Sequence, residues 1–169
     1  MKNIVLVGLM GAGKSTLGKA LSEKLSFEFL DTDEIITQEQ NLAITDIFSQ
    51  FGENYFRQLE KNLVLKLSDF ENKIISTGGG LVQDIENLNN LKKNGFVVYL
   101  QASVETLYSR IKDDNKRPLL QVDNPLEKLS EILIAREKNY KLANFIINTE
   151  NKTIDYIVNE LIREYNAQA

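Results

Sequence analysis

Residues 8–15 read Gly-Leu-Met-Gly-Ala-Gly-Lys-Ser, a G-x-x-x-x-G-K-[ST] pattern that follows the apolar run N-I-V-L-V at residues 3–7. Glycines at this spacing let successive backbone N–H groups turn inward around an oxyanion, and a helix starting there presents its positive end to the same charge. The pattern works only between a buried strand and a helix, and both flanks comply. The run 3–7 is rich in β-branched residues and does not alternate, as expected of a parallel strand covered on both faces. Leu17, Leu21 and Leu25 then recur at four-residue spacing and mark an amphipathic helix. Lys14 is placed to reach the β- and γ-phosphates of a nucleotide, and the Ser15 hydroxyl to ligate Mg²⁺. A glycine-rich turn without a ligand is the competing reading, which the strand and helix around the pattern disfavour.

The same strand-then-helix order continues. Strands are expected at residues 27–30, 73–76, 96–100 and 145–147, and helices at about 33–40, 54–69, 84–91, 103–110, 126–140 and 153–165. Thr45 is a plausible N-cap for a helix carrying Ile47, Phe48 and Phe51, which Gly52 interrupts. Strands alternating with helices imply βαβ units and a parallel sheet covered on both sides. With 169 residues, no internal repeat and no linker, the expectation is one three-layer α/β domain over 1–169. Residues 111–124 are polar, highly charged and contain Pro118, and Pro125 follows. Such a stretch within a compact domain reads as a lid, or as an ordinary solvated loop.

Composition narrows the chemistry. The chain has no cysteine and no histidine, so disulfides, thiolate zinc sites and a catalytic thiol are excluded. Any general acid or base must be Asp, Glu, Lys, Tyr or water. A net charge of −4 argues against a nucleic-acid partner, whose phosphates select a basic face. No uncharged apolar run approaches the roughly 18 residues of a membrane span, and the phosphate loop follows the N-terminus too closely for a signal peptide. A cytoplasmic location is expected.

An acidic protein that binds anions must concentrate its basic residues where the anions sit. Arg136 falls seven residues after Leu129 and so shares the apolar stripe of its helix. A charge there needs a partner, either an anionic ligand or a structural carboxylate. Arg57 follows the inward-facing Phe56, with Glu60 at i+3, as a held guanidinium or a surface ion pair. Asp31 and Asp33 lie beyond the second strand, where open parallel sheets bind ligands, although either could simply cap the next helix. Thr77-Gly78-Gly79-Gly80 ends the third strand. Its glycines either open backbone N–H groups to a small ligand or form a flexible turn. Arg110, Lys112, Lys116 and Arg117 belong to the charged segment, and Arg117 could deliver charge to a transferring phosphoryl group.

Together, G-L-M-G-A-G-K-S-T (8–16), D-T-D (31–33), F-G-E-N-Y-F-R (51–57), G-G-G (78–80), R-P-L-L (117–120) and the helix arginine Arg136 resemble the shikimate kinase family over almost the whole chain. The resemblance implies a P-loop NTPase-type fold, with a five-stranded parallel sheet of order 2-3-1-4-5 and a mobile lid. It implies ATP-dependent phosphorylation of the 3-hydroxyl of shikimate, on the route to aromatic amino acids. By resemblance, Lys14, Asp33 and Arg117 are catalytic. Gly11, Ala12, Gly13, Lys14, Ser15, Thr16, Arg110, Arg117 and Lys152 bind ATP. Asp33, Arg57, Gly79 and Arg136 bind shikimate, and Ser15 with Asp31 holds Mg²⁺. Two guanidinium forks suit a carboxylated ring better than a neutral sugar. The family's frequent R-x-P-L-Y stands here as Arg136-Glu137-Lys138-Asn139-Tyr140, which keeps the Arg-to-Tyr spacing. A monomer acting on small molecules, with neither nucleic acid nor membrane as partner, is expected. The rivals are another small-metabolite kinase such as a gluconate kinase, a nucleoside monophosphate kinase, and a nucleotide-binding module without catalysis.

Overall fold

The computed structural model describes residues 2–112 and 122–168. Most of the expected lid, with Arg117, lies outside the described residues.

Five strands form one parallel sheet in the order β2-β3-β1-β4-β5. β1 (Asn3–Val7) is central, pairing with β3 (Lys73–Ser76) through Ile4↔Ile74 and with β4 (Gly95–Gln101) through Ile4↔Phe96. β2 (Glu28–Asp31) and β5 (Phe145–Asn148) close the two sides. Every residue of β1 is buried, as are the first six of β4. That is why these runs are continuously apolar instead of alternating.

The helices that link the strands are α1 (Lys14–Leu25), α2 (Thr32–Gln40), α3 (Ile44–Leu67), α4 (Ile85–Lys93), α5 (Val104–Ile111), α6 (Pro125–Tyr140) and α7 (Ile154–Ala167). α1 packs against β3 and α7, and α5 packs against α6. Several starts follow directly from the sequence. Asp31, Asp84, Ser103 and Thr153 each accept a backbone N–H from the first turn of the helix they precede.

Two local expectations change. α3 starts at Ile44 with Ala43 as its N-cap, not Thr45. The Ala43 carbonyl accepts from both Asp46 and Ile47 at 3.0 Å. Ile44 and Phe48 pack onto the core and Ile47 is buried within it, so apolar contact sets the start and the better capping residue is left exposed. Gly52, with φ 81° and ψ 171°, breaks α3 where the interruption was expected. The second change is a short 3₁₀ turn, Leu81–Gln83, between the glycine run and α4.

All five strands run the same way, so their carboxyl ends share one edge of the sheet. The phosphate loop after β1, Asp31 at the end of β2, the glycine run after β3 and Thr149 after β5 are therefore neighbours. Thr77 anchors the glycine run to the central strand, donating from its N (3.1 Å) and Oγ1 (3.0 Å) to the Leu6 carbonyl. Thr32 accepts the Gly78 N–H at 2.9 Å.

Candidate active site

A cleft of about 620 Å³ opens along this edge, lined by the phosphate loop, Asp31, Asp33, Arg57, Glu60, residues 76–80, Arg110 and Arg136. At its floor, α1 begins without a side-chain cap, after Gly13 in the left-handed region. Its first-turn N–H groups are thus left for an anion. Gly11, Gly13, Lys14, Ser15 and Thr16 line the cleft, while Ala12 is buried behind it. Gly11 has φ 81°, and a Cβ there would come within 2.6 Å of the Leu107 carbonyl, so only glycine lets α5 lie this close to the loop. The Lys14 ammonium donates to the carbonyls of Gly8 (2.8 Å) and Leu9 (3.1 Å).

Asp31 has two tasks. One oxygen caps α2 through the Asp33 N–H at 3.0 Å, while the other accepts from the Ser15 hydroxyl at 3.1 Å. Capping and ligand binding were alternatives on sequence grounds, yet one carboxylate oxygen serves the cap while the other turns to the Ser15 hydroxyl in the cleft. Among the described residues no group of three carboxylates gathers to hold a metal.

Beyond the phosphate loop lies a second set of charges around residues 78–80. A Cβ on Gly78 would stand 2.5 Å from Asp33 Oδ1, and one on Gly80 would stand 2.6 Å from Arg57 Nη1. A Cβ on Gly79 would lie 3.6 Å from Arg136 Nη1. The glycines are small because charged side-chain ends occupy the space beside them.

The Arg57–Glu60 pair is no surface ion pair. Arg57 Nη1 lies 2.7 Å from Glu60 Oε2, with the Glu60 side chain only 1% exposed and Arg57 30% exposed. Burial pushes the Glu60 carboxyl up to about 6, with Arg57 pulling against it and Asp33 adding to it. Burial also works against the Arg57 charge, but Glu60 and Glu53 outweigh it and leave the guanidinium pKa raised. Glu53 takes the Nε and Nη2 edge at 3.2 and 2.9 Å, so Arg57 is held by a carboxylate on each side, Glu53 there and Glu60 at Nη1. Arg136 is half-buried on α6, and among the described residues no carboxylate pairs with it.

Arg110 bridges the phosphate loop and the end of β5. It donates to the Gly11 carbonyl (3.2 Å) and to the Thr149 hydroxyl (3.2 Å) and carbonyl (3.1 Å). Lys152 does not line the cleft; it sits over the Tyr156 ring, 5.1 Å from its centroid, and 3.7 Å from Glu160. Sequence reasoning treated Glu60 only as a partner of Arg57 and passed over Ser76, whose hydroxyl is 3.5 Å from that of Ser15. Periodicity holds no signal for either, since both are small parts of otherwise apolar faces.

The family model described as shikimate kinase matches residues 10–166. The chain belongs to that family. A curated shikimate kinase of Sulfurihydrogenibium sp. is 46% identical over 162 residues, covering 96% of each chain. The solved shikimate kinase from Acinetobacter baumannii, in complex with shikimate, superposes with a TM-score of 0.93 at 37% identity, covering 99% of this chain and 94% of that one. A gluconokinase structure from Sinorhizobium meliloti shares the fold alone, at a TM-score of 0.60 and 15% identity over 99% and 97% of the two chains. In this member of the shikimate kinase family, then, the sheet order 2-3-1-4-5 and the P-loop kinase architecture are those the resemblance implied.

Proposed function

We propose that the chain transfers the γ-phosphoryl group of ATP to the 3-hydroxyl of shikimate, giving shikimate 3-phosphate on the route to aromatic amino acids. The observation that carries this is the gathering of Asp33, Arg57, Glu60 and Arg136 around residues 78–80, in the cleft that also holds the phosphate loop. Two arginines beside a carboxylate fit an acid that also carries hydroxyls. Each guanidinium offers paired N–H groups to a planar carboxylate, and an ionised Asp accepts from alcohols.

In this reading the uncapped start of α1 and the loop amides of Gly11, Ala12, Gly13, Lys14, Ser15 and Thr16 hold the ATP phosphates. Lys14 leaves the loop carbonyls for the more strongly charged β- and γ-oxygens. Ser15 and Asp31 would hold Mg²⁺, which would supply charge neutralisation for the phosphates. Arg110 lies against the adenine, while Lys152, outside the cleft lining, is a nucleotide contact that rests on the resemblance alone. Arg57, Arg136 and the Gly79 backbone orient the acid, so that Asp33 faces the attacking hydroxyl and takes its proton. Phosphoryl transfer asks mainly for positioning and charge stabilisation, so Asp33 need not be a strong base. Arg117, from a lid at about 111–124, stabilises the transferring oxygens and helps exclude water. The protein works as a single-domain monomer in the cytoplasm on small molecules. Its acidity supports the absence of nucleic acid among its partners.

The test is to supply ATP and Mg²⁺ with a panel of hydroxylated acids and follow ADP release. Release that requires shikimate is expected. Release with gluconate in preference to shikimate would replace the acceptor, and no release with any acid would leave a binding module without catalysis.

A further inference from the structure

Two residues outside the roles assigned above bracket the Arg136 guanidinium. Oriented by its hydrogen-bonding surroundings, the Gln83 amide oxygen accepts from Arg136 Nε and Nη2, both at 3.3 Å. On the other side, one helical turn along α6, the Tyr140 hydroxyl donates to the Gly79 carbonyl. The Tyr140 ring is buried against Tyr99, with centroids 5.1 Å apart and planes at 27°. Burial pushes the Tyr140 phenol up to about 12, while the charges of Arg136 and Arg57 pull it back. Between them, the Asn139 amide donates to the carbonyls of Val82 (2.9 Å) and Gln83 (3.0 Å). α6 is thus stitched to residues 79–83 at three points around Arg136.

A free arginine side chain carries roughly 2 kcal/mol of rotamer entropy. Whatever fixes it before a ligand arrives lowers the ligand's ordering cost. With Gln83 on the Nε–Nη2 edge, the groups left facing the cleft are Nη1 and the second N–H of Nη2. Resting on the acceptor role given to Arg136 above, we propose that Gln83 and Tyr140 are positioning residues that pre-set Arg136 for the carboxylate of the acceptor. Gln83 holds the guanidinium edge, and Tyr140 holds α6 against Gly79.

The test compares Gln83→Met and Tyr140→Phe, each alone and combined with Arg136→Ala, measuring KM for shikimate and for ATP. Met keeps the length of Gln without an accepting oxygen. Each single change should raise the shikimate KM about three- to tenfold, the effect of losing one hydrogen bond, charge-assisted for Gln83 and neutral for Tyr140. ATP KM and kcat should stay within about twofold. Neither change should raise the shikimate KM further once Arg136 is Ala. Gln83 is exposed, so its variant keeps the core intact and decides alone if Tyr140→Phe fails to fold. An unchanged shikimate KM in Gln83→Met, or the same rise with Arg136 already removed, overturns the positioning role. If Arg136→Ala raises the shikimate KM while Gln83→Met is silent, only this inference falls. If Arg136→Ala is itself silent, the acceptor clamp falls with it.

Discussion

Asp33 Oδ1 lies 2.5 Å from where a Gly78 Cβ would stand, in a cleft shared with the phosphate loop, and in the proposed function it faces the acceptor. Its removal should separate turnover from nucleotide binding. For Asp33→Ala we expect kcat to fall by at least about 10²-fold, while ATP affinity measured by titration stays nearly intact. Equal loss of both would contradict the assignment. Glu60 is the other carboxylate here, and its raised pKa has a sign that can be checked. A carboxyl held near 6 in the fold, against an ordinary value near 4.3 when unfolded, takes up protons more readily in the folded state. Its contribution to stability is therefore complete below about pH 4 and is lost as pH rises through 6, by roughly 2 kcal/mol. Glu60→Gln does not titrate, so its stability relative to wild type should climb by that amount between pH 4 and pH 7 in urea unfolding. A difference independent of pH would show that Glu60 titrates normally. Asp33 was singled out in the sequence by its place just beyond the second strand, and Arg136 by falling on an apolar stripe seven residues after Leu129. The burial of Glu60 was not, because i+3 spacing to an arginine looks the same on a wet helix face.

At the scale of elements, the turn after β3 decides where the charges of the second cluster stand. α2 delivers Asp33, α3 delivers Arg57 and Glu60, and α6 delivers Arg136, each to a position beside residues 78–80. Gly80 adopts an ordinary φ of −98°, so alanine is allowed there by the backbone. What it meets is the Arg57 guanidinium, at 2.6 Å. Because that is the far end of a flexible side chain, Gly80→Ala should fold with a melting temperature changed by only a few degrees, while displacing Arg57. The shikimate KM should rise about tenfold, with little change in the ATP KM. A collapsed melting temperature with unaltered KM values would mean that the glycine serves the backbone and not the side chain beside it. The helix starts at Ser103 and Thr153 were legible because one residue and its neighbours determine a cap. The start of α3 was not, since the packing of Ile44, Ile47 and Phe48 outweighed the capping preference of Thr45.

For the whole molecule, the central strand is both the core of the sheet and the support of the phosphate loop. Ile4 is fully buried between Ile74 and Phe96, at the opposite end of β1 from the loop. Ile4→Ala should cost about 2–5 kcal/mol of stability through lost burial and a residual cavity. The folded fraction should keep both KM values. Urea unfolding alongside steady-state kinetics checks this, and a rise in ATP KM would mean that strain at the bottom of the sheet reaches the loop.

The alternation of strands and helices, the phosphate loop and the family could all be read from the chain alone, because each is written in neighbouring residues. A buried parallel strand, a helix stripe, a cap and a glycine-rich turn need only the chemistry of a few consecutive positions. The charge cluster around residues 78–80 belongs to the tertiary structure. Strand register brings Asp33, Arg57, Glu60 and Arg136 from three separate helices to one turn, and fills with charge the space that its glycines leave. It also lays Gln83 along one edge of Arg136 and Tyr140 beside it. No local pattern records such meetings, since the burial of a charge and the direction it faces depend on elements that touch only after the sheet has closed.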